Sequence, residues 1–210
     1  MDILFVNACL RGKEKSRSYK LASKFISAVK AEFKEAEITE IDLNKLRPQP
    51  INADTLSQRE SLAASKDFSS PVFDLAKQFA AADRIIIAAP LWENSFPSIL
   101  KAYIEHTAVV GITFKYGENG SVGLCRAEKL AYITTRGGYM TGEFSHLEMG
   151  ARYIETICGL YGIKNFKCIA AEGLDIQGND PEKILEKAFE EAEKEAKSFC
   201  AEPEPSVSKR

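Results

Sequence analysis

A chain of 210 residues that balances 28 Lys and Arg against 30 Asp and Glu, with 45% hydrophobic residues, has enough apolar material for one globular core and too little positive charge to mark a nucleic-acid surface. No apolar run reaches bilayer-spanning length, and MDILFVNA enters a strand pattern at once instead of a basic-then-apolar leader, so the default expectation is a cytoplasmic protein with no membrane partner. Cys9, Cys125, Cys158, Cys168 and Cys200 are odd in number and scattered without a C-x-x-C pair, which points to reduced thiols, and His106 and His146 alone offer no metal cluster.

Residues 3–6 read as a buried strand. The polar loop NACLRGKEKSRS leads from it into a helix that begins near Ser16 and keeps Tyr19, Leu21, Ala22, Phe25, Ile26 and Val29 on one face, with Lys20, Lys24 and Lys30 on the other. Ser16 and Ser18 therefore stand where a helix starts directly after a strand. That place combines unpaired N–H groups, the positive end of the helix dipole and two hydroxyls into an anion site, with Arg11 and Arg17 to add charge. The same residues also read as a plain serine N-cap with basic surface neighbours. The segment is neither G-x-G-x-x-G nor a Walker loop, so the anion it suits is a monophosphate held by hydroxyls and amides.

Residues 37–43 alternate and form a short, half-polar second strand suited to a sheet edge. A two-proline loop over 45–50, a weakly amphipathic stretch over 53–65 and a clearer helix from Ser70 or Pro71 to Asp83 follow. Residues 84–89, RIIIAA, make a continuous apolar run too short for a helix, the pattern of a strand buried on both faces of a parallel sheet. Pro90 ends it, and Pro97 opens a helix carrying Ile99, Leu100, Tyr103 and Ile104. The intervening loop, Leu91, Trp92, Glu93, Asn94, Ser95 and Phe96, lies at the strand's carboxyl end, where ligands bind in open α/β sheets. It is a candidate cradle for a flat ring; the alternative is an ordinary strand-to-helix turn with Trp92 filling the core.

An insertion over 106–124 holds Val109, Val110, Ile112, Phe114 and Tyr116 in a loop-like frame with four glycines, and such residues either fold under the domain or meet a partner subunit or ligand rim. Residues 129–135 form the fourth strand. It ends in Arg136-Gly137-Gly138, whose glycines let the backbone approach a ligand and present amide donors, or simply make a tight turn. A polar loop over 139–144 is able to cover a site; a helix over 146–160 is capped by Gly162; residues 165–171 are the fifth strand, with Glu172-Gly173 at its end. Pro181 starts a final helix with Ile184, Leu185, Ala188, Phe189 and Ala192 facing inward, and the tail from Ala201 has little to bury and reads as disordered. Residues 1–200 thus make a single doubly wound α/β domain with a five-stranded parallel sheet and helices on both faces. The strand order 2-1-3-4-5 puts the switch point between the first and third strands, where Ser16 to Ser18 and the 91–96 loop converge.

The segments AAPLWENSFPSILKAYIE, GITFKYGENGSVGL, ITTRGG and the AEG after the fifth strand occur in an order and spacing that resemble the flavodoxin-like, FMN-dependent NAD(P)H oxidoreductases, the family of bacterial azoreductases and quinone reductases. The resemblance runs from the first strand to about Gly173. It implies an FMN cofactor, NADH or NADPH as donor, a small-molecule acceptor such as a quinone or azo compound, ping-pong hydride transfer and a homodimer. It assigns Ser16, Arg17 and Ser18, with Cys9 and Arg11, to the phosphate, Pro90, Leu91, Trp92, Glu93, Asn94, Ser95 and Phe96 to the isoalloxazine, and Thr135, Arg136, Gly137 and Gly138 to its pyrimidine side. Trp92, Tyr139 and His146 are then expected to border the substrate, and Phe114 and Tyr116 to reach the partner's flavin. No side chain is expected to act as a catalytic nucleophile, because the flavin carries the redox chemistry.

The chain departs from the family loop, close to M-Y-N-F-G/N-I-P, at Glu93 and Asn94, and Cys9 stands where a serine is usual, which shifts weight to Arg11. A carboxylate beside the flavin would disfavour the anionic reduced ring; a Glu93 turned to solvent would not. The rival readings are a flavodoxin-type electron carrier, against which the insertion and the modest acidity stand, and a non-catalytic α/β binding module.

Overall fold

The computed structural model describes residues 1–201; the tail expected to be disordered lies, beyond Ala201, outside the described residues. β1 (Asp2–Asn7) is followed by a one-turn helix α1 (Gly12–Lys15) and by α2 (Arg17–Glu32). Then come β2 (Glu37–Asp42), α3 (Leu43–Leu46), α4 (Ala53–Ala64), α5 (Asp74–Ala81) and β3 (Arg84–Ala88). The second half adds α6 (Ser98–Thr107), a hairpin of β4 (Phe114–Gly117) and β5 (Gly120–Gly123), β6 (Lys129–Thr135), α7 (Gly150–Tyr161), β7 (Asn165–Ala171) and α8 (Pro181–Cys200). The main sheet is parallel, in the order β2-β1-β3-β6-β7, which is the expected order once the hairpin takes two strand numbers. This is a doubly wound α/β sheet with the flavodoxin-like strand order.

Burial explains the order. All five residues of β3 are buried, and their β-branched side chains alternate between two apolar layers, as a central parallel strand requires. Ile85 and Ile87 join Leu4, Val6, Leu130 and Tyr132 under α5, α6 and α7. Ile86 joins Ile3, Phe5, Ala131, Ile133 and Ile169 under α2 and α8. Ala188, Ala192 and Ala196, one turn apart, let α8 lie close to α2, and Phe25 meets Phe199 edge to face at 5.2 Å. β2 is largely exposed and polar, as its edge place demands. Among the described residues no helix is long and apolar enough to cross a membrane.

Two local readings are corrected and a third is sharpened. The 106–124 insertion is not loop-like throughout, since Phe114 to Gly117 pairs antiparallel with Gly120 to Gly123 around Glu118–Asn119. The helix expected from residue 146 begins at Gly150, because Glu148 is extended and its carboxylate accepts from the Ala151 N–H at 2.9 and 3.0 Å; residues 142–147 instead form a 3₁₀ turn. The weakly amphipathic 53–65 stretch is a helix, α4, whose buried Arg59 donates to the Glu105 and Ala108 carbonyls at the end of α6.

The hairpin is docked by two glycines. A Cβ at Gly123 would lie 2.1 Å from the backbone of Gly162 and Tyr161, atoms that cannot move aside, and Gly162 itself caps α7 at φ 82°. Gly123→Ala is therefore expected to destabilise the protein by about 1–3 kcal/mol in urea unfolding. Gly159→Ala in α7, where a Cβ meets nothing within 4 Å, is expected to stabilise it by about 0.5–1 kcal/mol. Equal effects of the two would contradict this docking.

Candidate functional site

The chain winds from β1 outward to β2, then returns to β3 and proceeds outward through β6 and β7, so the winding reverses between β1 and β3. A cleft of about 230 Å³ opens there at the carboxyl ends of the strands. One wall is Leu10, Arg11, Ser16, Arg17 and Ser18; the second is Pro90, Leu91 and Trp92; the third is Thr135, Arg136 and Gly137, with Asp175 beside it. Hollows of about 680 Å³ behind Arg136 and about 640 Å³ between α7 and α8 are larger, so donor chemistry rather than volume singles the cleft out.

Ser16 is the N-cap of α2, its hydroxyl accepting from the Tyr19 N–H at 3.2 Å. The N–H groups of Arg17 and Ser18, first in the helix, have no intrahelical acceptor. Ser18 is buried, and its hydroxyl lies 2.7 Å from that of Thr135, which fastens the start of α2 to the end of β6. Behind them, the thiol of Cys9 is buried and points to the Ala88 carbonyl at 3.6 Å. Burial pushes its pKa up to about 11 against a hydrogen bond from Ser16, so it stays protonated at neutral pH. Cys9 lies beneath the cleft and not on its wall.

The loop after β3 splits in two. Trp92 and Ser95 exchange backbone hydrogen bonds, at 3.1 and 2.8 Å, around Glu93 and Asn94, which take φ of 49° and 62°. Both central residues being left-handed makes this a type I′ turn. Glu93 and Asn94 are exposed at its tip, and the Asn94 carbonyl accepts from the Met149 N–H. Phe96 is buried against Tyr153, with ring centroids 5.5 Å apart. Thus only Pro90, Leu91 and Trp92 of the seven residues assigned to the ring line the cleft.

In the turn after β6, the carbonyls of Arg136, Gly137 and Gly138 accept from Leu174, Asp175 and Gly173 at 3.2, 2.9 and 3.1 Å. The N–H groups of Gly137 and Gly138 have no acceptor among the described residues. A Cβ at Gly138 would meet open space, whereas one at Gly137 would lie 2.6 Å from Asp175 Oδ2. Gly138 itself is not on the cleft wall. The Arg136 side chain turns away from the cleft. Its guanidinium is buried between Glu172, which also accepts from the Thr141 hydroxyl, and Glu148 at 3.4 Å.

The remaining charges are unevenly engaged. Arg17 donates to Asp175 at 2.8 Å and to the Leu174 carbonyl at 3.3 Å, and Lys13 pairs with Glu40 of β2 at 2.7 Å. Arg11 is exposed on the cleft wall and has no ion-pair partner among the described residues. Among the described residues no group of His, Cys, Asp and Glu side chains is placed to hold a metal.

The side chains expected at the substrate scatter. Trp92 is 43% exposed at the cleft. Phe114 is instead buried, stacked on Tyr161 at 6.4 Å, and Tyr116 is exposed on the hairpin. Tyr139 hydrogen-bonds Asn179 at 3.0 Å, and His146 donates from Nδ1 to the Glu143 carbonyl in the hollow behind Arg136. Leu10 and Asp175 were not expected on the cleft. Asp175 carried one signal, its position just past the carboxyl end of the last parallel strand.

A family model described as a flavodoxin-like fold matches residues 1–196. The chain is 42% identical over 203 residues to the FMN-dependent NADH:quinone oxidoreductase 2 of Clostridium acetobutylicum, a match covering 94% of this chain and 98% of the relative. It is 39% identical over 197 residues to the FMN-dependent NADH:quinone oxidoreductase of Clostridium perfringens, with the same coverage of both. Among solved structures, the azoreductase from Bacillus anthracis str. Sterne superposes with a TM-score of 0.85 at 29% identity, over 95% of this chain and all of that one.

Ser18→Ala leaves a buried Thr135 hydroxyl without its partner and is expected to destabilise the protein by about 1–3 kcal/mol in urea unfolding. Adding Thr135→Val removes both halves of the pair and should recover part of that loss; strictly additive losses would contradict the contact.

Proposed function

The chain belongs to the flavodoxin-like fold family, and on that footing we propose that it is an FMN-dependent NADH oxidoreductase that reduces quinones and azo compounds. The observation that carries this reading is the meeting of three strand ends in one cleft, with donors for a phosphate on one wall and two free glycine amides beside another. The donor set fits FMN. Arg11, the start of α2 and the Ser16 hydroxyl would hold the phosphate, and the Gly137 and Gly138 amides would hydrogen-bond the ring carbonyls.

Bound there, FMN supplies the hydride chemistry between NADH and the acceptor. The protein's own part is to bind and orient. Trp92 offers an apolar surface at the rim on which donor and acceptor alternate, a ping-pong order. Cys9, held protonated, takes no part as a nucleophile. Glu93 at the tip of its turn faces solvent, which leaves the ring free of a buried carboxylate at that position.

We further infer that residues 1–200 act as one domain and that two copies pair. Exposed apolar side chains flank both ends of α7, with Tyr116, Val122 and Leu124 on and after the hairpin and Phe144, Leu147 and Met149 before the helix, and they support burial against a second chain. Five free cysteines support a reducing, cytoplasmic setting.

The purified protein, loaded with FMN, is expected to show the flavin's visible bands and to oxidise NADH steadily with a soluble quinone and no partner protein, NADPH being assayed alongside. A protein that takes up no FMN would overturn the reading. A flavin-loaded protein that passes electrons only to another protein would make it a carrier.

A further inference from the structure

Asp175 is the charged side chain on the cleft whose sign opposes a phosphate. Its carboxylate holds Arg17 at 2.8 Å, and the other arm of that guanidinium is taken by the neighbouring Leu174 carbonyl at 3.3 Å. Both arms of Arg17 are therefore turned to the segment after β7, and Arg11 is left as the cation on the wall with no carboxylate partner among the described residues. The other oxygen of Asp175 comes within 2.6 Å of the point where a Gly137 Cβ would be, so the carboxylate lies against both Arg17 and the turn after β6.

We propose that Asp175 is an internal stand-in for the cofactor's phosphate: it occupies Arg17 in the flavin-free chain, yields it to the incoming phosphate, and so sets how strongly the site prefers phosphorylated flavin to riboflavin. This rests on the FMN reading above. The backbone of Asp175 is fixed by its N–H bond to the Gly137 carbonyl at 2.9 Å, but its side chain is 63% exposed and Arg17 is 30% exposed. Both side chains reach solvent, so the pair can part without moving the backbone. A surface pair of this kind is held weakly. A phosphate monoester carries close to two charges and three strong acceptor oxygens, and competes for an arginine better than one carboxylate does. The carboxylate that swings away stays near the anion and opposes it, so the pair lowers affinity for any phosphate while leaving the uncharged ring unaffected.

The test is a titration of flavin-free protein, wild type and Asp175→Asn, with FMN and with riboflavin, followed by flavin fluorescence. Asp175→Asn is expected to bind FMN about tenfold more tightly and riboflavin within about twofold of wild type. Asp175→Ser serves the same purpose should the amide variant misfold. Loss of affinity for both flavins to the same extent would overturn the proposal, showing that Asp175 holds the part of the molecule that the two share. Unchanged or weaker FMN binding with riboflavin unaltered would overturn it as well. A wild-type protein that binds neither flavin removes the cofactor reading and this inference with it, whereas wild type that binds FMN and a variant that does not tighten removes this inference alone.

Discussion

The site depends on the parallel pairing of β1, β3 and β6, because that pairing brings three chain segments to the same edge at matched heights. The ladder continues past the strands themselves. Ala8 donates to Ala88 at 2.8 Å, Ala89 to Ile133 at 3.0 Å and Leu91 to Thr135 at 3.0 Å, so the start of each loop is set by its neighbour's backbone. The Ser18–Thr135 hydroxyl pair then closes the circuit between the first and third walls. Core burial enforces the arrangement: a one-residue slip of β3 would exchange Ile86 with Ile85 and Ile87 between the two apolar layers and leave the loops misaligned.

The charges around the cleft divide into structural and available ones. Arg136 joins the turn after β6 to the carboxylate that caps α7 and to the end of β7, and taking three charges out of water costs enough that its contribution is position rather than stability. Lys13 tethers α1 to β2 through Glu40 in a solvent-exposed pair, where the cost of desolvation is small. What remains for a ligand is Arg11, the exchangeable Arg17, and a set of neutral donors at the start of α2 and after β6. Such a set suits one phosphate on a neutral ring better than a larger polyanion.

Much of this was legible in the residues. The IIIAA run of β3 has no polar face, so its central place followed from composition, and Ser16 as an N-cap and Gly137 after a buried strand followed from position. The hairpin was not legible, because FKYG and GSVG are short and glycine-rich and carry little strand preference of their own. The start of α7 is hidden in the sequence because His146 and Leu147 continue its spacing, and only the extended backbone at Glu148 interrupts it. The turn at Glu93 and Asn94 gave no warning either, as glutamate rarely takes a left-handed φ. Asp175 was missed because its partner Arg17 lies 158 positions away, a contact that only the folded sheet creates.

Hydrogen–deuterium exchange of the flavin-free protein, with and without added FMN, tests most directly whether these three segments form one seat. Exchange should slow together in residues 10–18, 90–95 and 135–138 and stay unchanged in residues 155–169 and 195–199. Protection confined to the α7–β7–α8 groove, or present in only one of the three segments, would contradict a shared seat at the β1/β3 switch point.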